Sequence, residues 1–267
     1  MAQFRSIAVA QTCPVAGDVE ANLDEHVQLA RLAAAEKAKV VVFPELSLLG
    51  YELGRAGELA FSNNDGRLDS LLDVAESLAI TLIVGASIRL GKSLYIGAFI
   101  LLPDRTTELY TKHHLGAFPP SAECDSLDGS IPSAEATVFQ PGNLNPLIRL
   151  HDHKAALAIC ADIGTPSHAE IAAERGADSY LASMFVIPSE FDGDAAKLRK
   201  YASQHRMMTA LANFGRPSGG LRSAGRSSIW SEEGELLVQL DAKGSGVAVV
   251  IETPDGRHAQ SIMLNGN

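Results

Sequence analysis

Basic residues are in short supply: 22 Lys and Arg stand against 32 Asp and Glu, a formal charge of −10 over 267 residues. Nucleic-acid binding needs clustered Lys and Arg to neutralise phosphate, so this balance argues against a nucleic-acid partner. Long apolar runs are missing too. No stretch reaches the roughly 18 uninterrupted apolar residues of a membrane-spanning helix. The start, Met1-Ala2-Gln3-Phe4-Arg5, meets Ser6-Ile7-Ala8-Val9-Ala10 without the long apolar core and small-residue cleavage site of a secretory leader. A cytoplasmic protein with no membrane partner is the expectation. Cysteine is scarce: Cys13, Cys124 and Cys160 are odd in number and far apart, which excludes a disulfide framework or a CxxC zinc site and suits a reducing compartment. Short-period repeats, low-complexity tracts and linker-like breaks are absent, so residues 1–267 are expected to form one domain.

At 46% hydrophobic and 20% charged residues, the chain has ordinary globular composition and enough length for a sizeable core. Residues 5–11 read as a short apolar strand, and Gly17-Asp18-Val19-Glu20 opens a helix with Leu23, Val27, Ala30 and Ala34 at helical spacing. The run Val40-Val41-Val42-Phe43 predicts a strand that stops at Pro44, which has no N–H for a sheet ladder. Leu68, Leu71, Leu72, Ala75 and Leu78 space a second helix; strands follow over 81–86, 94–101 and 108–111. After a Pro-, Ser- and Gly-rich loop at 116–134 come strands near 146–150 and 154–159, helix 167–176, strand 178–184, helix 192–207 and strand 209–213. The rest is β-rich, with a turn at Glu233-Gly234. Such alternation implies an α/β fold with helices covering the sheets.

In such folds, loops at the carboxyl ends of strands gather the ligand-binding groups. Three ionisable residues stand there: Glu45 after Val41-Val42-Phe43-Pro44, Lys112 after Leu109-Tyr110-Thr111, and Cys160 after Leu157-Ala158-Ile159. A thiol, a carboxylate to take its proton and an ammonium to steady developing negative charge make a nucleophilic site. Singly, each has an ordinary explanation. Cys160 reads as a small buried apolar residue, Lys112 as a solvated strand-end charge, and Glu45 as a surface pair or helix cap.

The ordered set Phe43-Pro44-Glu45, Tyr110-Thr111-Lys112-His113-His114-Leu115 and Ile159-Cys160-Ala161-Asp162 resembles the Glu-Lys-Cys pattern of the nitrilase, or carbon-nitrogen hydrolase, superfamily. Gly50-Tyr51, Leu94-Tyr95, Phe139-Gln140-Pro141-Gly142, Gly176-Ala177-Asp178, Ala212-Asn213 and Ala224-Gly225-Arg226-Ser227 extend the likeness over nearly the whole chain. The resemblance implies a four-layer α-β-β-α sandwich forming a single carbon-nitrogen hydrolase domain. It implies cleavage of a non-peptide C–N bond in a small amide or carbamoyl compound through a thioester. It also implies no metal or organic cofactor, and a homodimer or larger homo-oligomer. In that scheme Cys160 attacks, Glu45 is the base, and Lys112 with the backbone N–H of Ala161 holds the oxyanion. A second family carboxylate precedes the Phe-x-Pro-Gly turn. Glu135 resembles it better than its competitor Glu123, its role being to position Lys112 and keep that amine protonated.

Members that act on nitriles resemble Cys-Trp-Glu at the nucleophile, whereas Cys160-Ala161-Asp162 leans toward amide or carbamoyl hydrolysis, with nitrile hydrolysis the alternative on the same triad. Other departures are Ile96 after Leu94-Tyr95 and Tyr201-Ala202-Ser203-Gln204 where Arg-Ala-x-Glu is usual; they give this chain its own pocket. Tyr51, Met184 and Phe185 are the pocket candidates, as is the acidic stretch with Glu52 and Glu58. Arg222 and Arg226 are candidate receivers of a substrate carboxylate, with loop solvation as the plainer reading.

Three rival chemistries are weaker. His151-Asp152-His153 and His113-His114 carry zinc-ligand types at undiagnostic spacing. Gly85 through Gly91-Lys92-Ser93 has five intervening residues where a phosphate loop has four, and lies between strands. Ser227-Ser228 lacks a Gly-x-Ser-x-Gly elbow. From a different class comes a catalytically silent binding protein of the same fold, against which the complete Glu45, Lys112 and Cys160 set argues.

Overall fold

The computed structural model describes residues 4–150 and 153–264. Its first half opens with β1 (Ser6–Gln11) and α1 (Val19–Ala35), capped by Asp18, which accepts the Ala21 N–H at 3.1 Å. β2 (Val40–Val42) ends before Pro44, and α2 (Asp69–Leu78) closes on Ala79 in the left-handed region at φ 49°. β3 (Thr81–Leu90), β4 (Ser93–Leu101) and β5 (Thr107–Thr111) follow as an antiparallel meander. The expected strand over 81–86 runs on to Leu90 because β4 pairs with it up to Leu90 opposite Ser93, and Phe61 adds a bridge on the other edge, donating to Ser87 O and accepting from the Arg89 N–H, both at 2.8 Å.

The second half begins with β6 (Ile148–Leu150), β7 (His153–Ile159) and α3 (Pro166–Glu174), whose proline sits in the first turn where no N–H is needed. β8 (Ser179–Ser183), α4 (Phe191–His205) and β9 (Met208–Ala212) come next. α4 stops two residues short of the expected 207 because Arg206 turns left-handed at φ 56°. β10 (Ser228–Trp230), β11 (Leu236–Gln239), β12 (Gly246–Thr253) and β13 (Gly256–Met263) follow.

Among the described residues these strands form a seven-stranded sheet, ordered β13-β12-β1-β2-β3-β4-β5, and a six-stranded sheet, ordered β11-β10-β9-β8-β7-β6. The central trios β1-β2-β3 and β7-β8-β9 are parallel. On the far side of β1 lies β12, antiparallel, with Ser6 opposite Ile251.

Side-chain alternation decides how the layers stack. Ile7, Val9, Val40 and Val42 enter a core shared with Leu157, Ile159 and Leu181 of the other sheet. Ala8, Ala10 and Val41 instead meet Leu29 and Ala33 of α1 and Leu71 and Val74 of α2. Ala156, Ala158 and Ala182 meet Ala169 of α3 and Leu198 of α4. Helices, sheet, sheet and helices thus make the four-layer α-β-β-α sandwich, and strand ends from both sheets meet at one side of the central core. No helix among the described residues is long and apolar enough to cross a membrane.

Candidate active site

Glu45 leaves β2 on a turn seated against β3. At Gly85 a Cβ would lie 2.2 Å from Pro44 O and 2.7 Å from Leu46 N, so only glycine lets the turn come this close. Leu46 takes φ 53°. From α1, His26 stacks on Phe43 with ring centroids 4.2 Å apart; its Nδ1 donates to Asn22 O at 2.6 Å and its Nε2 accepts from the Ser47 hydroxyl at 2.8 Å. Burial lowers the His26 pKa to about 4, so the ring is a neutral prop rather than a charge.

Lys112 ends β5, its backbone N–H donating to Ile96 O at 2.8 Å. Its Nζ lies 2.7 Å from Glu45 Oε1 and 2.7 Å from Glu135 Oε1. The side chains of all three are buried, 0%, 0% and 1% exposed respectively. The two acids are not equivalent. Both oxygens of Glu135 are engaged: the Tyr51 hydroxyl donates to its Oε1 at 2.8 Å and the Gly116 N–H to its Oε2 at 2.6 Å. Glu45 Oε2 is buried with no hydrogen-bond partner, and its carboxyl is within interaction range of the Cys160 thiol. Burial raises the Glu45 pKa to about 7 against the pull of Lys112. Burial alone would lower the Lys112 pKa, but the acidic groups Glu45, Cys160 and Glu135 around the ammonium outweigh it and hold the pKa above the usual lysine value.

Cys160 ends β7 in the left-handed region at φ 43°, a conformation that costs a residue with a Cβ about 1–2 kcal/mol. It begins a 3-10 turn, Cys160–Gly164, that Asp162 ties down. Buried Asp162 accepts the Ile159 N–H at 3.0 Å and the Tyr110 hydroxyl at 2.7 Å on Oδ2, and the N–H groups of His113 at 3.1 Å and His114 at 2.8 Å on Oδ1. His114 Nδ1 adds a contact of 3.0 Å. One carboxylate therefore locks the loop after Lys112 to the turn holding the thiol. Burial, then repulsion from Glu45, raises the Cys160 thiol well above its ordinary pKa, so it rests protonated.

The thiol forms part of the wall of a cavity of about 160 Å³ that Tyr51, Glu135 and Ala161 also line. A half-buried thiol on the wall of a small cleft, with a carboxyl and an ammonium sealed behind the lining, is an acyl-transfer arrangement. The carbon-nitrogen hydrolase family model matches residues 6–253. The chain belongs to that family. It is 26% identical to a nitrilase from Pyrococcus abyssi over 238 residues, covering 86% of this chain and 83% of that protein. It is 33% identical to an aliphatic nitrilase from Sinorhizobium fredii over 125 residues, 39% of this chain and 40% of that one. Among solved structures, the amidase from Nesterenkonia sp. AN1 in complex with butyramide superposes with a TM-score of 0.79 at 23% identity, over 93% of this chain and 91% of that one. Another structure of that amidase, with the acetamide moiety of fluoroacetamide added at its active-site cysteine, gives a TM-score of 0.79 at 23% identity over 93% and 90% of the two chains.

In this carbon-nitrogen hydrolase the structure brings Glu45, Lys112, Glu135, Cys160, Ala161 and Tyr51 together. Glu123 is exposed on the turn Pro120–Asp125. Met184 does not line the cavity: it packs in the core between the six-stranded sheet and its helices, and only its carbonyl reaches the site, accepting the Glu45 N–H at 3.3 Å. Phe185 stands behind the lining, its ring 5.0 Å from Tyr51 and 5.7 Å from Phe118. Glu58 pairs with Arg55 on the surface, and Glu52 accepts the Gly219 N–H at 3.3 Å. Arg222 and Arg226 line a different cavity. His113 stacks on Tyr110 at 5.3 Å, and His151 and Asp152 lie outside the described residues. Ser227 is buried, its hydroxyl 3.2 Å from Gln11 Oε1.

Sequence reasoning missed the outer wall, Glu190, Asp194 and Lys197, set by the start of α4. Asp194 and Lys197 pair at 2.8 Å, whereas Glu190 forms no ion pair among the described residues; burial, then repulsion from Asp194, raises its pKa. Their i, i+4 and i+7 spacing was a readable sign of one helical face.

Proposed function

We propose that this cavity hydrolyses a small amide through a thioester on Cys160, with Glu45 moving the protons. The neutral thiol gives its proton to Glu45 as sulfur attacks the carbonyl carbon, and the oxyanion is met by Lys112 and the Ala161 N–H. Collapse breaks the C–N bond, and the leaving nitrogen takes the proton from Glu45. Water then attacks the thioester, giving its proton to Glu45; the carboxylic acid leaves as sulfur regains a proton. Glu135 stays out of proton transfer because each of its oxygens is already engaged, and holds Lys112 in line.

The observation that carries this reading is the asymmetry of the two acids: both touch Lys112 Nζ at 2.7 Å, but only Glu45 keeps a buried oxygen without a hydrogen-bond partner. The Nesterenkonia amidase structures, with butyramide and with an acetamide moiety at the cysteine, support amide chemistry. A cavity of about 160 Å³ fits a compound of few heavy atoms, and Glu190 on its wall, which has no ion pair among the described residues, favours neutral or cationic amides over anionic ones. A nitrile substrate is the second reading, favoured by the names of the curated relatives. The three free thiols support a reducing, cytoplasmic setting. A homodimer or larger assembly completes the proposal, with the exposed Ile171 on α3 supporting contact through a helical face.

The test is ammonia release from a panel of amides, carbamoyl compounds and nitriles, with intact mass read for an acyl adduct on the protein. Small amides should turn over and Cys160→Ala should lose both turnover and adduct while keeping its fold. Full activity in a clean Cys160→Ala preparation overturns the mechanism, and absence of any adduct across the panel favours a silent binding protein.

A further inference from the structure

The 186–191 segment separates the catalytic cavity from a second one. Glu190 lines the first and Pro188 the second, which encloses about 460 Å³ against 160 Å³ for the catalytic one. Four cations line it, Arg216, Arg222, Arg226 and Lys243, and no carboxylate does. In a chain of formal charge −10 this is a local inversion of sign. It is also an unbalanced one. Arg55, Arg67, Arg105, Arg206 and Arg257 each hold a carboxylate, while none of the four pocket cations has an ion pair among the described residues. Glu25 lies within electrostatic reach of Arg216 without pairing with it.

The cations come from three chain segments that the fold fastens together. Gly225 sits so close to the 242–244 segment that a Cβ there would lie 2.2 Å from Ala242 O. Gln11 Nε2 donates to Asp241 O and Gly244 O, both at 2.9 Å, and the Arg226 N–H donates to Asp241 O at 3.2 Å. Two of the guanidiniums are placed as well: Arg222 Nη1 donates to Cys124 O at 3.2 Å, and Arg226 lies 5.1 Å over the Phe191 ring. Like charges held together at a concave surface repel one another, and a ligand that neutralises them gains from each contact without having to order the frame. Apart from Ser223 the remaining walls carry no polar side chain, and Leu127, Pro188 and Pro217 are among them.

We propose that this cavity binds a small organic polyanion, with two or more carboxylate or phosphate groups held by Arg216, Arg222, Arg226 and Lys243 and its carbon skeleton against the apolar wall. Amide hydrolysis on Cys160 has no use for such a group, so the site is distinct from the catalytic one and independent of the reaction assigned there. Guanidinium forks suit both oxyanion types.

Isothermal titration of the wild-type protein at low salt with citrate and, separately, with pyrophosphate tells the carboxylate and phosphate sources apart. Saturable one-to-one binding of at least one is expected, weakened about tenfold or more in Arg222→Ala/Arg226→Ala. The control Lys92→Ala/Lys200→Ala makes the same change in net charge on other surfaces and should bind as wild type does. Cys160→Ala should bind equally, so the outcome is separate from that of the substrate screen. No saturable binding of either anion, or equal weakening in both double variants, overturns the site. So does sedimentation showing that Arg222→Ala/Arg226→Ala takes an oligomer apart, since the cations then serve a protein contact.

Discussion

Glu45 and Cys160 both leave a strand through a left-handed residue, Leu46 at φ 53° and Cys160 itself at 43°, yet their turns are secured differently. The acid turn is sealed on every side: Gly85 lies beneath it, His26 stacks on Phe43 beside it, and the carboxyl is 0% exposed. The thiol turn faces a cavity and has no packing on that side, so Asp162 holds it from behind by hydrogen bonds from Ile159, Tyr110, His113 and His114. Shape fixes the group that must stay dry, and polar bonds fix the group that must stay reachable.

The harshest way to break the contrast is Lys112→Met, which leaves two buried carboxylates without their cation. A loss of about 3–5 kcal/mol is expected by denaturant titration, together with loss of activity. Cys160→Ala, on the open turn, should melt close to wild type; equal destabilisation of the two would show that the ion cluster does not sustain the fold. Asp162→Asn comes next. An amide cannot accept from all of the partners of a carboxylate, so kcat should fall about 10²-fold with KM little changed, as misplacement of reacting groups does. An unchanged kcat would leave Asp162 with no positioning role.

Gly85→Ala has the smaller effect expected of overpacking, about 1–3 kcal/mol, since the new methyl meets Pro44 O and Leu46 N. The finest distinction is in pH dependence. Only the carboxylate form of Glu45 accepts a proton, so kcat/KM should fall as pH drops through the Glu45 pKa of about 7. Gly85→Ala should move that acid limb and Asp162→Asn should leave it in place. A limb that shifts in both, or in neither, erases the difference between the turns.

Much of this was legible because the signals are local. β-branched runs, a proline that stops β2 and ionisable residues at three strand ends are written in adjacent letters. The extra length of β3 was not, because it comes from pairing of Ser87 to Leu90 with β4, and a bridge from Phe61, rather than from the apolar run itself. Asp162 looked like one letter of a motif, since its donors at Tyr110, His113 and His114 are about fifty residues away and their approach is a product of the tertiary fold. Met184 was misplaced despite a usable clue. Along β8, Tyr180 and Ala182 face the helices and Leu181 the central core, and continuing that parity sends Met184 to the helices and Phe185 to the core between the sheets. Backbone angles such as that of Cys160 leave no trace in side-chain pattern at all.

The position of β12 against β1 has a consequence for the making of the protein. β1 leaves the ribosome long before one of its two neighbours, with Ser6 waiting for Ile251. Until then its outer edge stays open to any passing strand, however well the intervening helices have formed. The β12–β13 hairpin is therefore the latch of the larger sheet, and nascent chains that stop before it are the species most exposed to aggregation.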